Sequence, residues 1–295
     1  MTTTPTTSTN PTTHSRVQQP AGNSALTLPV VRNKHRESSP VLLARHSMIQ
    51  CRRLLVDWSR DAPTIIQMVV YPALMLVMFR IVLGDSITAA TGQPSVYGTV
   101  PMITLVAAMS GAVVSALGLT NEQRTGLLGR FATMPIHRAA GLVGRLLAET
   151  IRIVLTTILI LLAGVALGLR FDQGWLAAIA LLVFPVMFGL GFAVLVTTLA
   201  TLSKGGQLIQ IVAIITLLMT FFNSGFVPVQ AYPLWLQSTV KNQPMSCAID
   251  AMKGLTAGGP VADSLIKTAL WSVGTMVLFA YPAIAGYRRA AENSR

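Results

Sequence analysis

Six runs of about twenty apolar residues punctuate this chain, and they constrain its fold more than any other feature. At ~1.5 Å rise per residue, a helix of that length crosses a hydrocarbon core of ~30 Å. The runs are Thr64 to Leu83, Val100 to Leu119, Ile151 to Leu169, Trp175 to Leu202, Leu208 to Val227 and about Leu265 to Tyr287. Only 11% of the residues are charged, roughly half of what a soluble domain carries. The expected fold is all-α and integral to the membrane, with six transmembrane helices filling residues 62–290. The first run carries a kink position at Pro72, and the fourth is long enough to tilt or break at Pro185. The second is rich in Ala, Gly and Ser, which let helices pack closely in lipid. The connectors "GLRFDQG" and "LSKGGQ" are short enough to join antiparallel neighbours.

Residues 1–40 are rich in Thr, Ser, Pro and Asn and hold no continuous apolar stretch. Such a segment cannot bury enough surface to offset its ordering entropy, so it is expected to be a disordered tail without a signal-peptide core. Residues 291–295 form a second short tail. Between the first tail and the first run, residues 41–61 suit an amphipathic helix. At 100° per residue, Ala44, Ser47, Met48, Cys51, Leu54, Leu55 and Trp58 share one face. Arg45, His46, Arg52, Arg53, Asp57 and Arg60 share the other. Such a helix lies in the interface with its arginines among headgroups, or packs on a protein surface.

The net charge of +12 would suggest nucleic acid in a soluble protein. Its distribution points elsewhere. With six spans, 17 of the 22 Lys and Arg fall on the side shared by both tails, which the positive-inside rule assigns to the cytoplasm. The charge is a topology signal, and nucleic acid drops out as a partner. Cys51 and Cys247 fall on opposite expected sides, against a disulfide, and no His/Cys cluster has metal-ligand spacing.

One cytoplasmic loop is unusually charged. "NEQRTGLLGRFATMPIHR", Asn121 to Arg138, places Leu127, Leu128 and Phe131 at helical spacing beside Glu122, Arg124 and Arg130. Pro135 ends that helix, and Arg138, Arg145 and Arg152 lead into span three. The loop suits either lipid phosphates or the surface cleft of another protein.

This loop resembles the E-R-x-x-G-x-L-x-R-x-x-x-x-P-x-x-R pattern of ABC-2 type transporter permeases. "FNSGFVPVQAYPLWL", Phe222 to Leu236, and "NQPMSCAIDAMKGL", Asn242 to Leu255, resemble the segment after span five in the same family. Within it, "MPIHRAAGLVGRLLAETIR" and "NQPMSCAIDAMKGLTAGGPV" are similar to the daunorubicin-resistance (Drr) permeases of actinobacteria, in particular the DrrC type associated with phthiocerol dimycocerosate export. Two departures stand out. Gln123 separates Glu122 from Arg124, which are adjacent in many members, and Lys253 stands where Arg is commoner.

The resemblance implies a six-span permease without enzymatic activity, paired with a second permease chain, sister or identical. Two copies of a separate ABC ATPase would bind ATP and Mg, leaving no cofactor in this chain. The sequence contains no G-x-x-x-x-G-K-[S/T], and "SKGG" at Ser203 to Gly206 has no glycine-rich loop before its lysine. On this reading Glu122, Arg124, Gly126, Leu127, Leu128, Arg130, Phe131, Pro135 and Arg138 couple to the ATPase through a stiff helix. Leu128→Arg or Arg130→Glu is expected to uncouple transport without unfolding. Asn223, Gly225, Pro228, Tyr232, Trp235, Gln243 and Pro244 form an external lid, a lateral exit or a structural cap.

Arg80 is placed to snorkel, Glu149 to pair with Arg145, and Asp250 with Lys253. The implied cargo is a lipid-like or amphipathic drug-like molecule, such as phthiocerol dimycocerosate or an anthracycline-type antibiotic, exported across the plasma membrane. A polysaccharide or envelope-precursor exporter has similar spans. An ion-coupled transporter is disfavoured, because no span carries a central carboxylate.

Overall fold

The computed structural model describes residues 39–293 except 135, 138, 172, 204, 205 and 260. The expected tail over 1–40 therefore lies outside the described residues save for its last two, and so do residues 294 and 295. Every regular element among the described residues is helical.

Helix α1 runs Pro40–Arg60. Pro40 sits in its first turn, where a missing N–H costs nothing. Asp61 ends it and caps the next helix, its carboxylate accepting from Thr64 N at 3.2 Å. The first span follows in three pieces: α2 (Ala62–Ile65), a π-helical turn (Ile66–Val70) and α3 (Tyr71–Val82). Pro72 lacks an N–H and its ring crowds the carbonyl four residues back. The wider turn just before it takes up that misfit.

A short α4 (Gly84–Thr91) leads to α5 (Val96–Arg124), α6 (Leu127–Thr133) and α7 (Ala140–Ala166). Then come α8 (Trp175–Leu202), α9 (Gln207–Phe221), α10 (Leu234–Asn242), α11 (Pro244–Ala257) and α12 (Ala262–Asn293). Among the described residues, five stretches are long and apolar enough to cross a membrane: Ala62–Val82, Val96–Arg124, Ala140–Ala166, Ala177–Leu202 and Ala262–Ala290. The sixth apolar helix, α9, has 15 residues, about 22 Å at ~1.5 Å per residue. The apolar run expected to reach Val227 leaves the helix at Phe222, because the Asn223 side chain turns back and donates to Thr220 O at 2.6 Å. Pro185 does not break α8.

At the centre stands α5, packed against α3, α7, α8, α9 and α11. Its buried Ala107, Ala108, Ala112 and Ala116 let neighbouring backbones come close. Helix α12 lies along α8, and α1 lies along α7. The α1–α7 contact shows what part of the α1 apolar face meets. Ser47, Cys51 and Leu54 of the supposed lipid face are buried, and Cys51 and Leu54 pack with Ala148 of α7. Val41, Met48, Ile49 and Val56 are the large apolar residues α1 leaves exposed.

Candidate functional site: a charged junction at one end of the bundle

Four helices converge where α5 ends. The chain leaves α5 at Thr125 and turns at Gly126, whose φ of 70° lies in the left-handed region that only glycine enters freely. It then re-enters a helix as α6. The segment from Glu122 to Met134 is thus two elements with a sharp turn between them, and the single stiff helix expected from sequence is not formed.

Glu122, on the last turn of α5, is clamped by two arginines. One carboxylate oxygen accepts from Arg53 of α1 at 2.8 Å, and the other from Arg145 of α7 at 2.5 Å. Arg145 is 3% exposed and also donates to Ser115 O at 2.9 Å and Ser115 Oγ at 3.2 Å. Arg53 spreads over the Phe131 ring of α6, 5.0 Å from its centroid, a cation–π contact. One carboxylate therefore ties α1, α5 and α7 together, and Arg53 adds α6. Nearby, His137 N donates to His46 Nδ1 at 3.2 Å, a second tie between α1 and the segment following α6.

Leu128 sits at 1% exposure, packed with Val113, Ala116 and Leu119 of α5, Val196 and Ala200 of α8, and Ile209 of α9. Its expected role as an outward grip is overturned: the side chain is consumed inside the bundle. Leu127 and Phe131 are half-buried, while Arg124, Arg130 and Met134 face outward. Pro135 and Arg138 lie outside the described residues.

A second buried pair sits deeper in α7. Glu149 binds Arg152 at 2.5 Å, and Arg152 donates to Ala107 O and Ala108 O of α5 at 3.3 and 3.2 Å. The expected Glu149–Arg145 pair is absent among the described residues, since Arg145 points to Glu122. Helix α7 begins at Ala140, well before the expected span at Ile151, so all three groups lie on a helix. Sequence reasoning singled out Glu122 but missed Arg53 and Arg145 as its partners. The seven-residue spacing of Arg145 and Arg152, which puts both on one helix face, was the available signal.

At the other end, the segment after α9 forms a hydrogen-bonded cap. Asn223 Oδ1 accepts from Gly225 N at 2.6 Å, and Tyr232 donates to Asn223 O at 3.2 Å. Gln243 donates to Phe222 O and to Ser246 Oγ. Pro244 opens α11, and Pro228 precedes a 3-10 turn, Val229–Ala231. Asn223, Gly225, Tyr232 and Gln243 of the expected lid thus take part in one hydrogen-bonded cap, whereas Trp235 stands 78% exposed on α10. Lys253 donates to Ser224 O, and no Asp250–Lys253 ion pair forms among the described residues. Burial pushes the Asp250 carboxyl up, opposed by a Ser224 hydrogen bond, and pushes the Lys253 amine down, opposed by Asp250. Arg80 lies 3.8 Å from Asp85 near the end of α3.

Apolar helices of bilayer length, an amphipathic helix strapped to one end and charge gathered at that end define a helical multi-pass membrane protein. The chain belongs to the ABC-2 type transporter family, which matches residues 47–256 and so takes in the junction and most of the cap. It is 39% identical over 252 residues to the probable doxorubicin resistance ABC transporter permease protein DrrC of Mycobacterium tuberculosis, in two strains. That match covers 85% of this chain and 91% of the relative. It is 25% identical over 226 residues to the daunorubicin resistance ABC transporter permease protein DrrB1 of Streptomyces coeruleorubidus, covering 76% and 77%.

Proposed function

We propose that this permease is the membrane half of an exporter that moves a lipid-like or amphipathic drug-like molecule outward across the plasma membrane. Two copies of a separate ATPase, binding ATP and Mg, supply the energy, and a second permease chain completes the pathway. Doxorubicin and daunorubicin resistance appear in the relatives' names and support a hydrophobic, drug-like cargo. A complex surface lipid such as phthiocerol dimycocerosate, chemically distinct from an anthracycline, is the other cargo proposed.

The observation that carries the reading is the Glu122 clamp. On the topology from the Lys and Arg count, this junction and both termini face the cytoplasm. ATP-driven closure of the ATPase pair displaces α6 through its outward face at Arg130 and Met134. Helix α6 cannot move alone: Leu128 is seated among α5, α8 and α9, and Phe131 lies under Arg53. The displacement passes through the Gly126 turn and the Glu122 clamp to α5, α7 and α1 together. At the far end the Asn223–Gln243 cap is the exit lid.

The test is cross-linking from a cysteine at Met134 in a permease otherwise free of cysteines. Under the proposal, the adduct contains an ATP-hydrolysing chain and its yield changes on adding ATP. Adducts confined to lipid, or label reaching that cysteine only from outside intact cells, would overturn it.

A further inference from the structure

A cavity of about 330 Å³ opens between α9 and α12, walled by α5 and α8 and closed toward α11 by Pro244. Met109, Phe188, Phe192, Met219, Trp271 and Ser272 line it, and none of the lining residues is ionisable. One group in this wall is out of place. Ser272 is 4% exposed, and its Oγ has no hydrogen-bond partner among the described residues.

The neighbouring hydroxyls behave differently. Thr216 donates to Val212 O and Thr275 to Trp271 O, both at 2.8 Å, each turning back onto its own helix. Serine in a helix has the same option four residues back, and Ser272 leaves it unused. The backbone that carries this hydroxyl is closely packed. A Cβ at Gly191 of α8 would lie 2.8 Å from Ser272 O and from Thr275 Oγ1, so α8 presses directly on this turn of α12.

We propose that the cavity is a ligand site for a neutral, flat aromatic molecule of about two rings with one hydrogen-bonding group directed at Ser272. Its size fits, since an apolar cavity of about 150 Å³ holds one benzene. Aromatic walls and two methionines favour a ring, because thioether sulfur contacts aromatic edges well. A charged ligand would find no counter-charge here, and an acyl chain would leave Ser272 unsatisfied. The site lies inside one permease chain. Only the occupant's role as cargo rests on the export reading.

The test uses the purified full-length permease in detergent and three brominated probes that quench tryptophan: 6-bromo-2-naphthol, 2-bromonaphthalene and 1-bromododecane. Quenching is compared with that in Trp271→Phe. The bromonaphthol should quench saturably, and Val212→Phe or Ile215→Phe, each filling the cavity, should abolish the effect. Ser272→Ala should weaken the bromonaphthol about fivefold, the worth of one ordinary hydrogen bond, and leave bromonaphthalene unchanged. Quenching that does not saturate, or that survives both filling variants, overturns the proposal. So does bromododecane displacing the bromonaphthol, which would make an acyl chain the occupant. No ATPase is present, so failed binding leaves the export reading standing, and failed export with intact binding leaves the site standing.

Discussion

Glu122 and Arg145 meet at 2.5 Å across twenty-three residues of sequence, joining the last turn of α5 to the first turns of α7 around the projecting α6. The second oxygen of Glu122 holds Arg53, so the two arginines compete for one charge under different conditions. Arg145 is almost fully buried, whereas the Arg53 side chain is 34% exposed.

The two halves of the clamp should therefore carry unequal weight. Glu122→Gln leaves a buried guanidinium without its counter-charge and should cost about 3–5 kcal/mol of stability. Arg53→Gln removes a partly hydrated partner and should cost about 1 kcal/mol or less. Thermal unfolding of both variants in one detergent checks this, and equal losses would contradict the assignment.

Position 128 and position 130 should separate folding from coupling. Leu128→Ala empties a packed site and should destabilise by about 2–5 kcal/mol, and Leu128→Arg should prevent accumulation of folded protein. Arg130→Glu alters an exposed side chain, so its unfolding should stay within about 0.5 kcal/mol of wild type. Its association with the ATPase, measured by co-purification, should fall. Folded Leu128→Arg permease in normal yield would show that the side chain is not seated as described.

At the turn, Gly126→Ala forces an L side chain into the left-handed region, at roughly 1–2 kcal/mol. Asparagine tolerates that conformation better, so Gly126→Asn should retain more stability and more export than Gly126→Ala. Identical behaviour of the two would mean that backbone geometry there is unimportant.

Burial raises the Asp250 carboxyl, so the folded protein holds that proton more tightly than the unfolded chain does. The stability this group contributes is present below the unfolded carboxylate value and is lost as pH rises through the raised folded value. Relative to Asp250→Asn, wild type should lose thermal stability as pH climbs across that interval. A difference that is flat, or that grows with pH, would contradict the burial of Asp250 as the dominant effect.

Hydropathy made the helical class and the five long spans readable, because run length maps directly onto bilayer thickness. It misplaced the end of α9, where apolar Phe222, Phe226 and Val227 continue the run but Asn223 redirects the backbone. It left the destination of the α1 apolar face open, since period alone does not distinguish lipid from a neighbouring helix. In the junction, Glu122, Arg130 and Phe131 stood out by their local pattern. Arg53 lies sixty-nine residues from Glu122, and no local pattern reports such a pairing. Leu128 had the right spacing for a surface grip and was instead an anchor, because amphipathic period marks a sticky face without naming what sticks to it.

The pressing of α8 on α12 has a further consequence. With Gly191 flush against Ser272 and Thr198 Oγ1 donating to Phe279 O at 3.2 Å, these two long helices are fastened to each other at successive turns. Helix α9 is shorter, with only Ile209, Thr216 and Thr220 buried, and it hangs between Gly206 and the bend at Phe222. Of the two helices that flank the cavity, α12 is therefore the firmly fastened side and α9 the lightly buried one.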